Sequence, residues 1–322
     1  MEGGGKSPRR GALRYLVTGG CGFIGSHLVD ALTAAGHEIV VLDDLSTGKR
    51  ENLNAKAELI VGNVADAGAV SGAVGGVDGC FHLAAIASVE RGREEWLATH
   101  RVNLGGTVAL LDAARRARRG KPLPLVYASS AAVYGDSDAL PLAETSAALP
   151  ISAYGADKLG SELHARVGGR VHGLPTAGLR FFNIYGPRQD PRSPYSGVIS
   201  IFCDRLRQGQ PITIFGDGKQ ERDFVFVADA VQALLAAMAQ ASIAAPVWNV
   251  CSGRAISVLG LAETIARLCG TPLEIAFAPP RAGDIKRSLG DGTAIEKALG
   301  WRPQVTLEEG LRRTLDFLSL SP

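Results

Sequence analysis

The stretch Thr18-Gly19-Gly20-Cys21-Gly22-Phe23-Ile24-Gly25 constrains the fold of this chain more than any other feature. It follows Arg14–Thr18, which reads as a strand. It opens Gly22–Ala35, where Ile24, Leu28 and Leu32 recur at helical spacing. A glycine-rich turn between a strand and a helix has a physical purpose. Gly19 permits the tight turn, Gly22 lets backbone N–H groups approach a diphosphate, and Gly25 lets the helix pack closely on the strand. The helix N-terminus adds partial positive charge. The position between strand and helix carries the reading, since glycine spacing alone is weak. About 20 residues further on, Asp43 and Asp44 close the next strand, His37–Leu42. A carboxylate there accepts from a ribose hydroxyl and repels a 2′-phosphate, which favours NAD over NADP.

The same alternation continues. Leu59–Val61, Gly79–Leu83, Pro124–Ser129 and Ala177–Phe182 read as strands. Helical patterns cover Trp96–Arg118, interrupted at Gly105–Gly106, and Tyr154–Val167. Apolar strands alternating with helices predict an α/β fold, a Rossmann-type doubly wound parallel sheet covered on both faces. After Asn183 the texture changes. Gly186–Gly197 carries three prolines and reads as a functional loop. A helix (Val198–Arg207), a strand (Ile212–Phe215), the segment Arg222–Val227, a helix (Ala228–Ala241) and a late sheet strand (Trp248–Cys251) follow. The expected organisation is a flexible tail over 1–11 and an NAD-binding domain over 12–182, joined by late elements from about 224–252. A smaller C-terminal α/β substrate domain over 183–322 completes it.

Composition narrows the function classes. Among 322 residues, 34 Lys and Arg face 32 Asp and Glu, so a nucleic-acid partner, which needs a basic excess, is not expected. A hydrophobic fraction of 46% with 20% charged residues is that of a folded protein. No apolar run approaches the roughly 20 residues of a membrane span, and the N-terminus lacks the apolar core of a signal peptide. Cys21, Cys80, Cys203, Cys251 and Cys269 are scattered without a Cys-x-x-Cys pair, which fits reduced thiols in the cytoplasm. The six histidines show no paired metal spacing, so no metal is expected.

Tyr154 and Lys158 stand four residues apart on a predicted helix and share a face. A free phenol titrates near 10, but a neighbouring ammonium and an oxidised nicotinamide favour phenolate. Ser129 and Ser130 end a strand at its carboxyl edge, where open α/β sheets bind ligands. A hydroxyl there can bridge substrate oxygen and phenolate.

At these residues the chain resembles the extended short-chain dehydrogenase/reductase family and, within it, the UDP-sugar 4-epimerases. The resemblance rests on TGGCGFIGSH (Thr18–His27), DDLSTGKREN (Asp43–Asn52), HLAA (His82–Ala85) and Val102–Asn103. It continues through SSAAVYG (Ser129–Gly135), YGADK (Tyr154–Lys158), LRFFNIYGPR (Leu179–Arg188) and GDGKQERDFVFV (Gly216–Val227). It implies Ser130, Tyr154 and Lys158 as catalytic residues. It implies an NAD site from Gly19, Gly22, Phe23, Ile24, Gly25, Asp43, Asp44, Ser46, Thr47, Gly48, Asn63, Val64, Leu83, Ala84, Ala85, Asn103, Tyr154, Lys158 and Phe182. It implies a UDP-sugar site from Ser88, Ser130, Tyr154, Asn183, Gly197, Val198, Thr213, Phe215, Arg222, Arg281, Asp284 and Ser288, with Phe215 near uracil and the arginines on the diphosphate. Asn63 departs from the pattern, which usually places Asp there near the adenine. A homodimer through the regions Trp96–Arg118 and Ser152–Val167 is a further implication of the resemblance.

The same comparison separates reactions. Relatives that eliminate water carry an Asp-Glu pair just past the catalytic hydroxyl, and UDP-glucuronate decarboxylases usually carry a Glu at the second position. Here these positions are Ala131 and Ala132, which move no protons. The expected reaction is inversion at C4 of a UDP-hexose or UDP-N-acetylhexosamine through a transient 4-keto sugar. The alternatives are another NAD-dependent nucleotide-sugar enzyme, such as a decarboxylase or reductase, or a non-catalytic NAD-binding protein. In the family, the residue after the Arg-x-Gly-Asp stretch gates space beside the sugar C2 substituent. The small Ser288 there predicts that N-acetylated substrates are accepted.

Overall fold

The computed structural model describes residues 11–117, 121–192, 197–280 and 285–320. The first half is a βα alternation of β1 (Arg14–Thr18), α1 (Phe23–Ala34), β2 (Glu38–Asp43), β3 (Glu58–Val61), α2 (Ala67–Ala73) and β4 (Gly79–His82). Then come α3 (Val89–Glu94), α4 (Trp96–His100), α5 (Gly106–Arg116), β5 (Leu125–Ser130), α6 (Ala153–His172) and β6 (Thr176–Phe181). The second half holds β7 (Asn183–Tyr185), α7 (Val198–Arg207), β8 (Ile212–Phe215), β9 (Glu221–Phe226), α8 (Val227–Gln240) and β10 (Val247–Val250). It ends with β11 (Ala255–Ser257), α9 (Val258–Cys269), β12 (Ile275–Ala278), β13 (Arg287–Ser288), α10 (Thr293–Leu299) and α11 (Leu307–Leu320).

Seven parallel strands form the main sheet in the order β10-β6-β5-β4-β1-β2-β3. Successive side chains on a strand point to opposite faces, and both faces here are buried. Val17, Phe81, Val126 and Leu179 pack against Leu28 and Leu32 of α1 and Leu234 of α8. Their neighbours Leu16, Cys80 and Leu125 pack on the other face against Val70 of α2, Leu110 of α5 and Ala165 of α6. The chain runs outward from β1 to β3, then crosses to β4 and continues the other way. That reversal opens a crevice at the carboxyl ends of β1 and β4, where such folds bind ligands. A third core, centred on Ile199, Phe202, Ile212, Ile214, Leu261 and Leu311, belongs to the later elements. There β9 pairs with β7, β11 and β13, and β8 pairs with β12.

The structure differs from the sequence expectation around Gly105–Gly106. These glycines do not interrupt the helix. Residues Arg101–Gly105 form a π-helical turn that runs straight on into α5. Gly106 is small because a Cβ there would lie 2.7 Å from Val64 Cγ2, so α5 needs it to approach the loop after β3. The short helices α2 and α3 and strand β7 were not anticipated. Their segments are too short for a periodic signal to stand out.

Candidate active site

The crevice is a cavity of about 640 Å³, within the range of small-molecule sites. At one end the glycine turn wraps the start of α1. Gly19 has φ +72°, and a Cβ there would lie 2.7 Å from Ala84 N. The turn after β1 and the turn after β4 therefore touch through backbone, and Thr18 Oγ1 accepts from both Leu83 N and Ala84 N at 3.2 Å. Gly22 caps α1 with no side chain over its first turn, which leaves N–H groups facing the cavity. This bare, donor-rich concavity fits a dinucleotide diphosphate, and the elongated cavity continues in both directions from it.

In one direction lie Asp43, Asp44, Ser46, Thr47, Gly48, Asn63 and Val64. The two acids are not equivalent. Asp43 is buried and accepts from Cys21 N and Leu45 N, each at 2.9 Å; burial pushes its carboxyl up. Asp44 is exposed and accepts from Asn63 Nδ2 at 2.8 Å. Asn63 Oδ1 in turn accepts from Ala65 N at 2.8 Å. An aspartate at 63 would set two carboxylates against each other; the amide converts that contact into a hydrogen bond.

In the other direction lie Leu83, Ala84 and Ala85, then Ser130, Tyr154, Lys158, Phe182, Asn183, Gly197 and Val198. Ser130 ends β5, and its Oγ accepts from Ala132 N at 3.1 Å. Tyr154 sits in the first turn of α6, which Ser152 caps by accepting from Gly155 N. Tyr154 and Ser130 line the same part of the cavity. Lys158 is buried one turn on and donates to Ala128 O at 2.8 Å; its Nζ lies 5.7 Å from the Tyr154 ring centroid. Burial pushes the Tyr154 phenol up, and the Ser130 hydroxyl pulls it back. Burial also lowers Lys158 to about 8, opposed by the charge of Asp157. Neighbouring positive charge favours the phenolate. Desolvation of the free site runs against it.

Several predicted residues stand elsewhere. Asn103 is buried behind the wall and braces Ile86 through both its N–H (2.8 Å) and its carbonyl (3.2 Å). Ser88 caps α3 by accepting from Arg91 N at 3.0 Å. Thr213 and Phe215 on β8, Arg222 on β9 and Ser288 on β13 do not line the cavity among the described residues; Ser288 pairs in register with Arg222. Arg281 and Asp284 lie outside the described residues. Sequence reasoning missed Phe224, Arg91 and Gln189, which line the cavity. His82, read from the sequence as a structural histidine, is a neutral buried link. Its Nε2 donates to Thr107 Oγ1 (3.0 Å), whose own proton goes to Asn103 O, and its Nδ1 accepts from Thr18 Oγ1 (2.8 Å). Burial lowers it to about 3, in keeping with the neutral ring. His82 lies within HLAA, and nothing local in the sequence marks it as a bridge.

A parallel sheet with a glycine turn at its switch point, and a tyrosine–lysine helix beside it, defines a dinucleotide-dependent enzyme of the short-chain dehydrogenase/reductase type. The chain matches the NAD dependent epimerase/dehydratase family over residues 15–251 and belongs to that family. It is 41% identical over 313 residues to a UDP-glucose 4-epimerase from Mycolicibacterium smegmatis, covering 95% of this chain and 98% of the relative. A solved UDP-glucose 4-epimerase from Thermotoga maritima, with UDP-glucose, superposes with TM-score 0.91 at 37% identity, covering 95% of this chain and 99% of that one. A UDP-N-acetylglucosamine 4-epimerase from Methanobrevibacter ruminantium, in complex with UDP-N-acetylmuramic acid, gives TM-score 0.90 at 34% identity, covering 96% and 98%.

Proposed function

We propose that this enzyme inverts C4 of a UDP-hexose or UDP-N-acetylhexosamine through a transient 4-keto sugar, with NAD as resident cofactor. The observation that carries the reading is local. Ser130 and Tyr154 line the cavity together beside a buried lysine, and the two positions after Ser130 are Ala131 and Ala132. NAD, when bound along the glycine turn, supplies a two-electron acceptor and donor for C4. Tyr154 takes the proton of the C4 hydroxyl and later returns it, acting as general base and then general acid. Ser130 holds that oxygen and the phenol in one hydrogen-bonded line. Lys158 supplies the positive charge that favours the phenolate. With alanine rather than Asp or Glu at 131 and 132, elimination or decarboxylation lacks its proton carrier, and the keto sugar is reduced again. Turning the keto sugar between the two transfers presents both faces of C4, while the UDP moiety retains it.

Phe215, Arg222, Arg281, Asp284 and Ser288 are assigned to the nucleotide-sugar side of the site. The resemblance makes the small Ser288, buried on β13 beside Arg222, the gate for an N-acetyl group. A homodimer through α4, α5 and α6 is supported by the exposed apolar side chains Trp96, Leu97, Leu163, Val167 and Val171 on two of these helices. Sedimentation at the mass of one chain rules that out. Five free thiols, four of them buried, suit a reducing compartment such as the cytoplasm. The decisive experiment is proton NMR of the sugar C4 position in NAD-loaded enzyme given UDP-glucose, UDP-galactose and their N-acetyl forms, without added reductant. Interconversion supports the reading. Stoichiometric reduced cofactor with an oxidised product, or carbon dioxide from UDP-glucuronate, overturns it.

A further inference from the structure

Behind the catalytic hydroxyls lies a buried ion pair that the reaction does not use. Glu162 stands on α6, four residues past Lys158 and eight past Tyr154, on the same face. Arg180 stands on β6, in register with Ser129 of β5. The two are almost fully buried and joined at both ends, Nε to Oε1 at 2.9 Å and Nη2 to Oε2 at 2.7 Å.

Each partner also holds the chain on one side of Ser130. Ser129, the residue before it, donates its hydroxyl to Glu162 Oε1. Tyr134, at the end of the turn after it, accepts from Arg180 Nη1 at 2.8 Å and carries the guanidinium 4.8 Å from its ring centroid. The Tyr134 hydroxyl then donates to Asn249 Oδ1 at 2.7 Å, on β10. The segment that carries the Ser130 hydroxyl is thus gripped at both ends by one ion pair, and half of that pair rides on the helix that carries the phenol.

We propose that Glu162 and Arg180 are positioning residues for the epimerisation: they fix the Ser130 hydroxyl against the Tyr154 phenol by locking β5 and its following turn to α6. A pair that served only as a core staple would govern unfolding and leave the hydroxyl geometry of folded enzyme untouched. Lys158 ties the same two elements through Ala128 O, but it is committed to the phenol. Neither Glu162 nor Arg180 lines the cavity, so the pair acts through Ser129, which does, and through Tyr134.

The inference rests on the reaction proposed above, and the test separates the two. NAD-loaded wild type is assayed first with UDP-glucose and UDP-N-acetylglucosamine; a folded wild type that turns over neither sinks the reaction. The NAD-loaded variants Glu162→Gln and Ser129→Ala are then compared at a temperature where circular dichroism shows them folded. Ser129→Ala removes one hydroxyl, leaves the ion pair whole, and stands in if Glu162→Gln does not fold. A misplacement near 1 Å lowers kcat on the order of 10–100-fold in Glu162→Gln, less in Ser129→Ala, with KM for UDP-glucose unchanged. Independently of turnover, the Tyr154 phenol, read as ultraviolet absorbance against Tyr154→Phe, titrates at higher pH once the Ser130 hydroxyl is displaced. A folded variant with wild-type kcat and phenol titration, whatever its unfolding temperature, overturns the proposal. So does a loss confined to KM.

Discussion

Gly25→Ala tests the phosphate-binding turn directly. The added Cβ would lie 2.1 Å from the Gly19 carbonyl oxygen, 2.8 Å from Gly19 C and 2.9 Å from Gly20 Cα. These are backbone atoms, so no side chain can rotate away. The Gly19 carbonyl is also engaged, accepting from Gly22 N at 3.1 Å. To restore ordinary contact, α1 must draw back from the turn by about 1 Å. Overpacking against rigid structure costs about 1–3 kcal/mol. The displaced atoms are the N–H donors themselves, so NAD affinity falls at least about tenfold, or about 1.4 kcal/mol. The assay is calorimetric titration of NAD into stripped protein, paired with urea unfolding. Gly72→Ala is the control. It lies exposed in α2 with nothing within 4 Å, and it should add about 0.5–1 kcal/mol of stability without touching NAD affinity. A Gly25→Ala protein that binds NAD within twofold of wild type and unfolds at the same urea concentration refutes the reasoning.

Tyr154→Phe should stay folded and lose on the order of 10²–10⁴-fold in kcat, read by NMR turnover. Lys158 carries its charge at a cost. Its folded value of about 8 lies below the ordinary 10.5, so the penalty is complete below pH 8 and fades as pH rises toward 10.5. Lys158→Met should therefore be inactive but more stable near pH 7, by on the order of 3 kcal/mol, with the gain shrinking in urea titrations above pH 8. His82 runs the other way on the pH axis. Its folded value of about 3 lies below 6.5, so stability is full above pH 6.5 and falls by about 1.4 kcal/mol per unit as pH drops toward 3. His82→Gln should flatten that slope between pH 6.5 and 4.5. Ser288→Tyr should cut turnover of UDP-N-acetylglucosamine while sparing UDP-glucose, and an equal loss on both would remove the gating role.

The site was legible where a short motif carries its own mechanism. Gly19, Gly22 and Gly25 required a strand before them and a helix after them, and the four-residue step from Tyr154 to Lys158 required one helix face. It was less legible where partners come from distant segments. Asp43 and Asp44 read alike as adjacent acids, yet one is buried under Cys21 and Leu45 and the other meets Asn63 from the loop after the neighbouring strand. Glu162 and Arg180 are unremarkable letters in a helix and a strand until β6 lies beside β5.

Apolar periodicity and glycine placement depend only on near neighbours in the chain, so residue order alone determined the alternation of strands and helices, the dinucleotide turn and the catalytic helix face. Tertiary structure decided what crosses the sheet: which strand the late β10 pairs with, which acid faces solvent, and which ion pair grips the strand of Ser130. Those outcomes depend on the order in which strands pair and on which polar groups lose water together, and neither quantity is written in any local stretch of residues.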